Sequence, residues 1–265
     1  MTIQQSNTMP HDRVSVAATT PAPAAYRAVQ VLDALAARKA AATITELATS
    51  IPLAKSSVAN LLVTLEAAGM VRRSQYGWML AYKALELGQS VLASTDLVAE
   101  FRRVVATMTY LRADTTLLAV LDGLDVLYLA RHDGQQQVRL ASDIGRRLPA
   151  VVTSLGKAML ASLPDDELER RLATLPSLPR PTRRSHRTVD DLRRDLLAVR
   201  ERGYAIDDEQ NTIGVTCFGV ALSTDQQPTA VSTTLLSQRI TPELRDHLVR
   251  ELTQLAAQLS PFARS

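Results

Sequence analysis

The chain has 265 residues, 46% hydrophobic and 22% charged, which suits about two folded domains at roughly 100–200 residues each. Its single cysteine, Cys217, excludes a disulfide framework within the chain and any multi-cysteine zinc site; no run approaches the ~18 apolar residues of a membrane span. The net charge is +3, and it is unevenly placed: residues 1–95 carry eight Lys/Arg against five Asp/Glu, and the rest of the chain is balanced. A basic surplus on the smaller part suits a phosphate-bearing partner, because neutralising phosphates releases counterions. The N-terminus lacks an apolar signal core, which predicts a cytoplasmic protein.

Residues 1–23 mix Ser, Thr, Pro and Ala without periodicity and read as a disordered tail. From Ala24 the pattern is helical, with Val29, Leu32, Leu35 and Ala36 on one face. Ile44–Ser50 reads as a short second helix with Thr45 as its N-cap. Pro52 marks a turn, and a third helix is predicted from Ala54 to Ala68, where Val58, Leu61, Leu62 and Leu65 repeat at helical spacing and Gly69 closes the element. Met70–Arg73 and Trp78–Leu80 flank a Gly-containing turn and read as a hairpin. Three helices and a hairpin make a winged helix-turn-helix over 24–81, and a linker helix is expected within 82–96.

Residues 97–265 mix helices and strands without strict alternation, which predicts an α+β domain with a mostly antiparallel sheet flanked by helices. Strands are expected at Thr116–Leu121, Val126–Arg131, Val138–Ser142, Thr216–Leu222 and Thr229–Leu235. Helices are expected at Leu97–Leu111, Gly156–Ser162, Asp165–Leu175, Val189–Arg202 and Pro242–Leu259. The Pro-, Arg- and Ser-rich residues 176–187 read as a surface loop.

In a helix-turn-helix the second helix enters the major groove and its N-terminal residues meet base edges. The candidates there are Lys55, Ser56, Ser57 and Asn60; Asn pairs with adenine in bidentate fashion, and Lys55 suits a phosphate. Arg72 and Arg73 on the wing and Arg27 on the first helix are backbone candidates, and Thr45 joins the DNA-facing set. The alternative is a winged helix that docks a protein.

Two segments of the second domain suggest a ligand site. Gly145–Ala158 is a loop that leads into the helix opening at Gly156, whose free first-turn amides and positive dipole end suit carboxylates or phosphates. The Gly156-Lys157 pair is not a nucleotide loop, because Val151 stands at the first Gly position and Ala158 replaces Ser/Thr. Asp207–Cys217 places acids in a loop ahead of Cys217, and Ser232 and Thr234 point one way on the following strand. Together they form a small polar pocket in an apolar wall. Cys217 is also a good small core residue, and Asp207 a good loop cap. An enzyme built on Cys217 or a Ser with His132, His186 or His247 is disfavoured, since none of these histidines sits in either segment and no nucleophile elbow occurs. No cofactor and no metal are expected.

These residues resemble the IclR family of bacterial transcriptional regulators over nearly the whole chain after the tail. The resemblance rests on Tyr26–Leu32, on Lys55–Leu62 continuing through Leu65–Gly69, on Pro149 with Thr153–Ala158, and on Asp207–Glu209 with Gly214-Val215 and Cys217. It implies a GAF-like effector domain, a homodimer or dimer of dimers on a palindromic duplex operator, and a small organic or aromatic acid as effector. By carry-over the amides of Ser154 and Leu155 hold the effector carboxylate. Asp207, Cys217, Ser232 and Thr234 fall at pocket positions, and Leu140 and Met159 shape the pocket. It further implies a regulator, with repression preferred over activation of a catabolic operon. Asn60 stands where the family often has Arg, and Thr234 where it often has Ser, so operator and ligand are not transferable from relatives.

Overall fold

The computed structural model describes residues 20–38, 40–93, 96–134 and 143–263. Most of the predicted tail, the strand expected at Val138–Ser142 and Leu140 lie outside the described residues. The chain divides between residues 93 and 94 into two compact units.

The first unit holds α1 (Pro23–Ala36), α2 (Ile44–Ser50), α3 (Lys55–Ala67), β1 (Val71–Ser74), β2 (Gly77–Leu80) and α4 (Tyr82–Ala93). Val31 and Leu35 of α1, Leu47 of α2, and Val58, Leu62 and Leu65 of α3 close one core with Val71 and Trp78 of the wing. The i, i+4, i+7 spacing of the α3 residues puts them on one stripe, which is why the opposite face stays polar. The cap of α2 is Thr43, not the expected Thr45. The Glu46 amide donates to Thr43 Oγ1, and the Thr43 amide donates to Glu46 Oε2 at 2.7 Å, a reciprocal box that satisfies two first-turn donors. Thr45 sits inside the helix, exposed, its carbonyl taking the Thr49 hydroxyl. The wing is pinned to the segment before α2: Ala42 and Trp78 exchange both backbone hydrogen bonds at 2.8 Å. Only glycine fits at 77, where a Cβ would stand 2.5 Å from the Ala42 carbonyl oxygen.

The second unit holds α5 (Leu97–Thr107), β3 (Thr115–Asp122), β4 (Asp125–His132), β5 (Arg147–Pro149), α6 (Ser154–Ser162), α7 (Asp165–Leu172), α8 (Val189–Arg202), β6 (Ala205–Asp208), β7 (Val215–Ala221), β8 (Thr229–Leu236) and α9 (Pro242–Leu259). Its six strands run in the order β5-β4-β3-β8-β7-β6, each antiparallel to its neighbours. Helices cover both faces: α6 packs on one, with α8 against it, while α9 and α5 lie on the other. That double cover explains why β7 and β8 are nearly continuous buried runs instead of alternating ones.

The helices expected at Leu97–Leu111 and Asp165–Leu175 end earlier, at Thr107 and Leu172, and three further differences from the sequence reading have a tertiary reason. Arg147–Pro149 is an edge strand because it pairs with β4, a contact too short to leave a periodic signal. Asp207, expected in a loop, lies on β6 opposite Cys217; only pairing with β7 makes this acidic stretch a strand. α6 begins at Ser154, two residues before its expected start, because Thr153 is its N-cap. The loop over 176–187 is held in place: the Thr182 hydroxyl donates to the carbonyl of Glu209 and the Ser185 hydroxyl to that of Gln210. Among the described residues no helix is long and apolar enough to cross a membrane.

Candidate nucleic-acid interface and ligand site

The N-cap of α3 is Ala54, whose side chain accepts no hydrogen bond, so the first amides of the helix have no cap of their own. Lys55 and Ser56 are exposed beside them and Ser57 is half-buried. Asn60 is exposed one turn further on, in line with Ser56. Val63, 60% exposed, continues the same stripe. Val63 is not among the sequence-predicted contacts; its spacing of seven from Ser56, away from the Val58–Leu62–Leu65 stripe, is the signal that separates it. An exposed valine among polar groups fits the methyl group of thymine. Arg72 and Arg73 are exposed on β1, with the Arg73 guanidinium 5.6 Å from the centre of the Trp78 ring. Arg27 is exposed on α1. Tyr76, at the tip of the wing, is exposed and was not predicted as a contact.

In the second unit one short helix dictates the site. Thr153 Oγ1 accepts the Gly156 amide at 3.0 Å, and the Thr153 carbonyl accepts that of Lys157. Gly156, expected as a ligand donor, is therefore already engaged. The Ser154 and Leu155 amides make no hydrogen bond within the described residues. Gly156 is needed for packing: a Cβ there would stand 2.2 Å from Ala150 Cα. Gly219 does the same from below, since its Cβ would stand 2.7 Å from the Ser154 carbonyl and 3.1 Å from the Leu155 nitrogen. Strand β7 thus passes directly under the two free amides.

From Gly219 the register assigns everything else. Ser232 pairs with Gly219; two residues along, Cys217 pairs with Thr234 on one side and Asp207 on the other. Strand pleating puts all five on the face that carries α6. Asp207, Cys217, Ser232 and Thr234 are buried, and Cys217 Sγ lies 3.3 Å from Thr234 Oγ1. Tyr128, unpredicted, shares this buried face from β4. Met159 is fully buried in the core beneath the same helix.

Burial controls the charges here. It pushes Asp207 up to about 6, although the amides of Asn211 and Gln210 and the charge of Lys157 pull the other way. Burial, reinforced by Asp207, pushes the Cys217 thiol far above its usual range. No histidine bonds Cys217 among the described residues: His132 meets the Arg112 carbonyl, His186 meets Asp195, and His247 stacks on Tyr110 at 4.3 Å. A neutral, base-free thiol is no nucleophile.

A buried ion cluster, unforeseen in the sequence, braces the site. Lys157 is fully buried, and its Nζ donates to Asp195 Oδ2 at 2.6 Å, to the Ile206 carbonyl and to Gln210 Oε1. Burial lowers its pKa against the pull of Asp195. Burial also raises Asp195, but His186 and Lys157 outweigh that and hold it below the usual carboxylate range. This lysine ties α6 to α8, to β6 and to the turn whose amides cap Asp207.

Residues 89–261 match the family model described as Bacterial transcriptional regulator IclR C-terminal, and residues 24–75 match the IclR helix-turn-helix domain. The HTH-type transcriptional regulator XynR of Escherichia coli is 29% identical over 88% of this chain and 94% of its own length. The transcriptional repressor IclR of Escherichia coli is 28% identical over 74% of this chain and 73% of its own. Among solved structures, the Thermotoga maritima IclR superposes with a TM-score of 0.70 at 26% identity, covering 89% of this chain and 96% of that one. A winged helix with a polar exposed face on its third helix, a helix-flanked antiparallel sheet in the second unit and family matches spanning both place this chain in the IclR family of DNA-binding transcriptional regulators, which are not enzymes.

Proposed function

We propose that the protein is a cytoplasmic repressor whose grip on operator DNA is set by a small carboxylic acid bound under the first turn of α6. The observation that carries this reading is the pair of unengaged amides at Ser154 and Leu155, above a buried face lined by Ser232, Cys217, Thr234 and Asp207. A helix N-terminus stabilises an anion, and exclusion of water strengthens the attraction. Repression is favoured by the relative from Escherichia coli that is named a repressor. On α4, Tyr82, Leu85 and Leu87 leave apolar surface exposed, which supports assembly into dimers or dimers of dimers. Two helices such as α3 would then meet successive half-sites of a palindrome, with Lys55, Ser56, Ser57, Asn60, Arg72, Arg73 and Arg27 in contact. The acid acts by binding one arrangement of the dimer better than another; equal affinity for both would shift nothing.

Gel shifts of the full chain on DNA from upstream of its own gene, with and without a panel of small carboxylic acids, test the proposal. A salt-sensitive, sequence-selective shift that at least one acid moves tenfold is expected. A complex that no acid alters, together with no rise in melting temperature with any of them, overturns the effector reading.

A further inference from the structure

The row of buried polar side chains does not stop at Thr234. Thr234 pairs with Thr115 of β3, so Asp207, Cys217, Thr234 and Thr115 form one line across four strands on the face under α6. Thr115 is 1% exposed, and its Oγ1 is the one buried side-chain polar atom without a hydrogen-bond partner among the described residues. Its neighbour Thr116, on the other face, is satisfied by the Leu111 carbonyl. A buried hydroxyl without a partner is destabilising, and native proteins rarely carry one without a use.

Position makes the use specific. Gly219, which marks the free amides, is two strands and two residues away from Thr115. At about 3.3 Å per residue and about 4.8 Å between strands, their Cα atoms are roughly 12 Å apart. Hydrogen bonds of about 3 Å at each end leave roughly 6 Å for a ligand. That is the length of a para-substituted aromatic acid or of a six-carbon chain, not of a two- or three-carbon acid.

We infer that Thr115 is a specificity-determining residue, and that the site takes a carboxylic acid bearing a hydroxyl at the end remote from its carboxylate. This rests on the proposed effector site. The carboxylate sits on the Ser154 and Leu155 amides, and the remote hydroxyl exchanges a hydrogen bond with Thr115 Oγ1. An acid lacking that hydroxyl leaves the Thr115 oxygen unpaired and binds more weakly.

The test uses two matched pairs, benzoate with 4-hydroxybenzoate and hexanoate with 6-hydroxyhexanoate, titrated calorimetrically into the full-length wild type and Thr115→Val. In the wild type the hydroxylated member of at least one pair binds about tenfold more tightly. In Thr115→Val, of nearly equal shape, that preference falls to about one, and the ligand-free variant melts no lower than the wild type because the lost hydroxyl had no partner. If acids bind but the variant keeps the wild-type preference, the inference falls and the effector site stands. If the free variant melts several degrees lower, the hydroxyl already has a partner and the inference falls as well. If none of the four acids binds, the inference is overturned, and the wider panel on operator DNA then decides the effector reading separately.

Discussion

Asp207 and Cys217 face each other across the β6–β7 ladder, and the turn that follows Asp207 donates the amides of Gln210 and Asn211 to its Oδ1 at 2.8 and 3.1 Å. A carboxylate held there by two backbone donors is still raised to about 6, because burial outweighs them.

That balance has a sign. Between the ordinary value of 3.8 and about 6, folded protein keeps a proton on Asp207 that the unfolded chain has released. The native state then binds more protons than the unfolded one, so this residue's contribution falls as pH rises through the window and is unfavourable above it. Two units at 1.36 kcal/mol each put the difference on the order of 3 kcal/mol. Asp207→Asn keeps an oxygen for the two amides and removes the titration. Urea unfolding at pH 4.5 and pH 7.5 should show the variant gaining on the wild type at the higher pH; parallel behaviour at both would refute the assignment.

Lys157 is the brace of the proposed ligand site. Lys157→Ala leaves the Ile206 carbonyl and Gln210 without their donor and Asp195 without its nearest cation, a loss of about 3–5 kcal/mol for a broken buried pair. Denaturant midpoints check the size. A loss below about 1 kcal/mol would mean that water reaches the cluster and replaces the lysine.

Gly219→Ala tests whether β7 supports the first turn of α6. The added methyl meets the Ser154 backbone at 2.7 Å, where nothing flexible can yield. Overpacking of this kind costs about 1–3 kcal/mol. Affinity for carboxylic acids should fall along with stability, because the amides move with the helix. An unchanged affinity would place the anion elsewhere.

On the DNA side two exposed residues should behave differently. Asn60→Ala is expected to relax base preference at one operator position by about 1–3 kcal/mol. Arg72→Ala is expected to weaken all sequences alike and to lower the salt slope by about 1. Equal losses for Asn60→Ala on operator and scrambled duplexes would remove it from base reading.

Much of this was legible in the chain. The stripe Val58–Leu62–Leu65 against exposed Lys55, Ser56 and Asn60 is a local periodicity, and local periodicity survives in sequence because a helix neighbours itself. The α8 bounds, Val189 to Arg202, likewise follow from a capping threonine and a terminal glycine, and α9 opens on Thr241-Pro242. What only the tertiary structure decided is what lies beside what. Asp207 became a strand residue through its partner Cys217, Lys157 became a buried brace through Asp195 and Gln210, and Thr115 joined the polar row through Thr234. Each link joins residues 10 or more positions apart, and strand pairing and burial are properties of the folded neighbourhood that no short window of sequence contains.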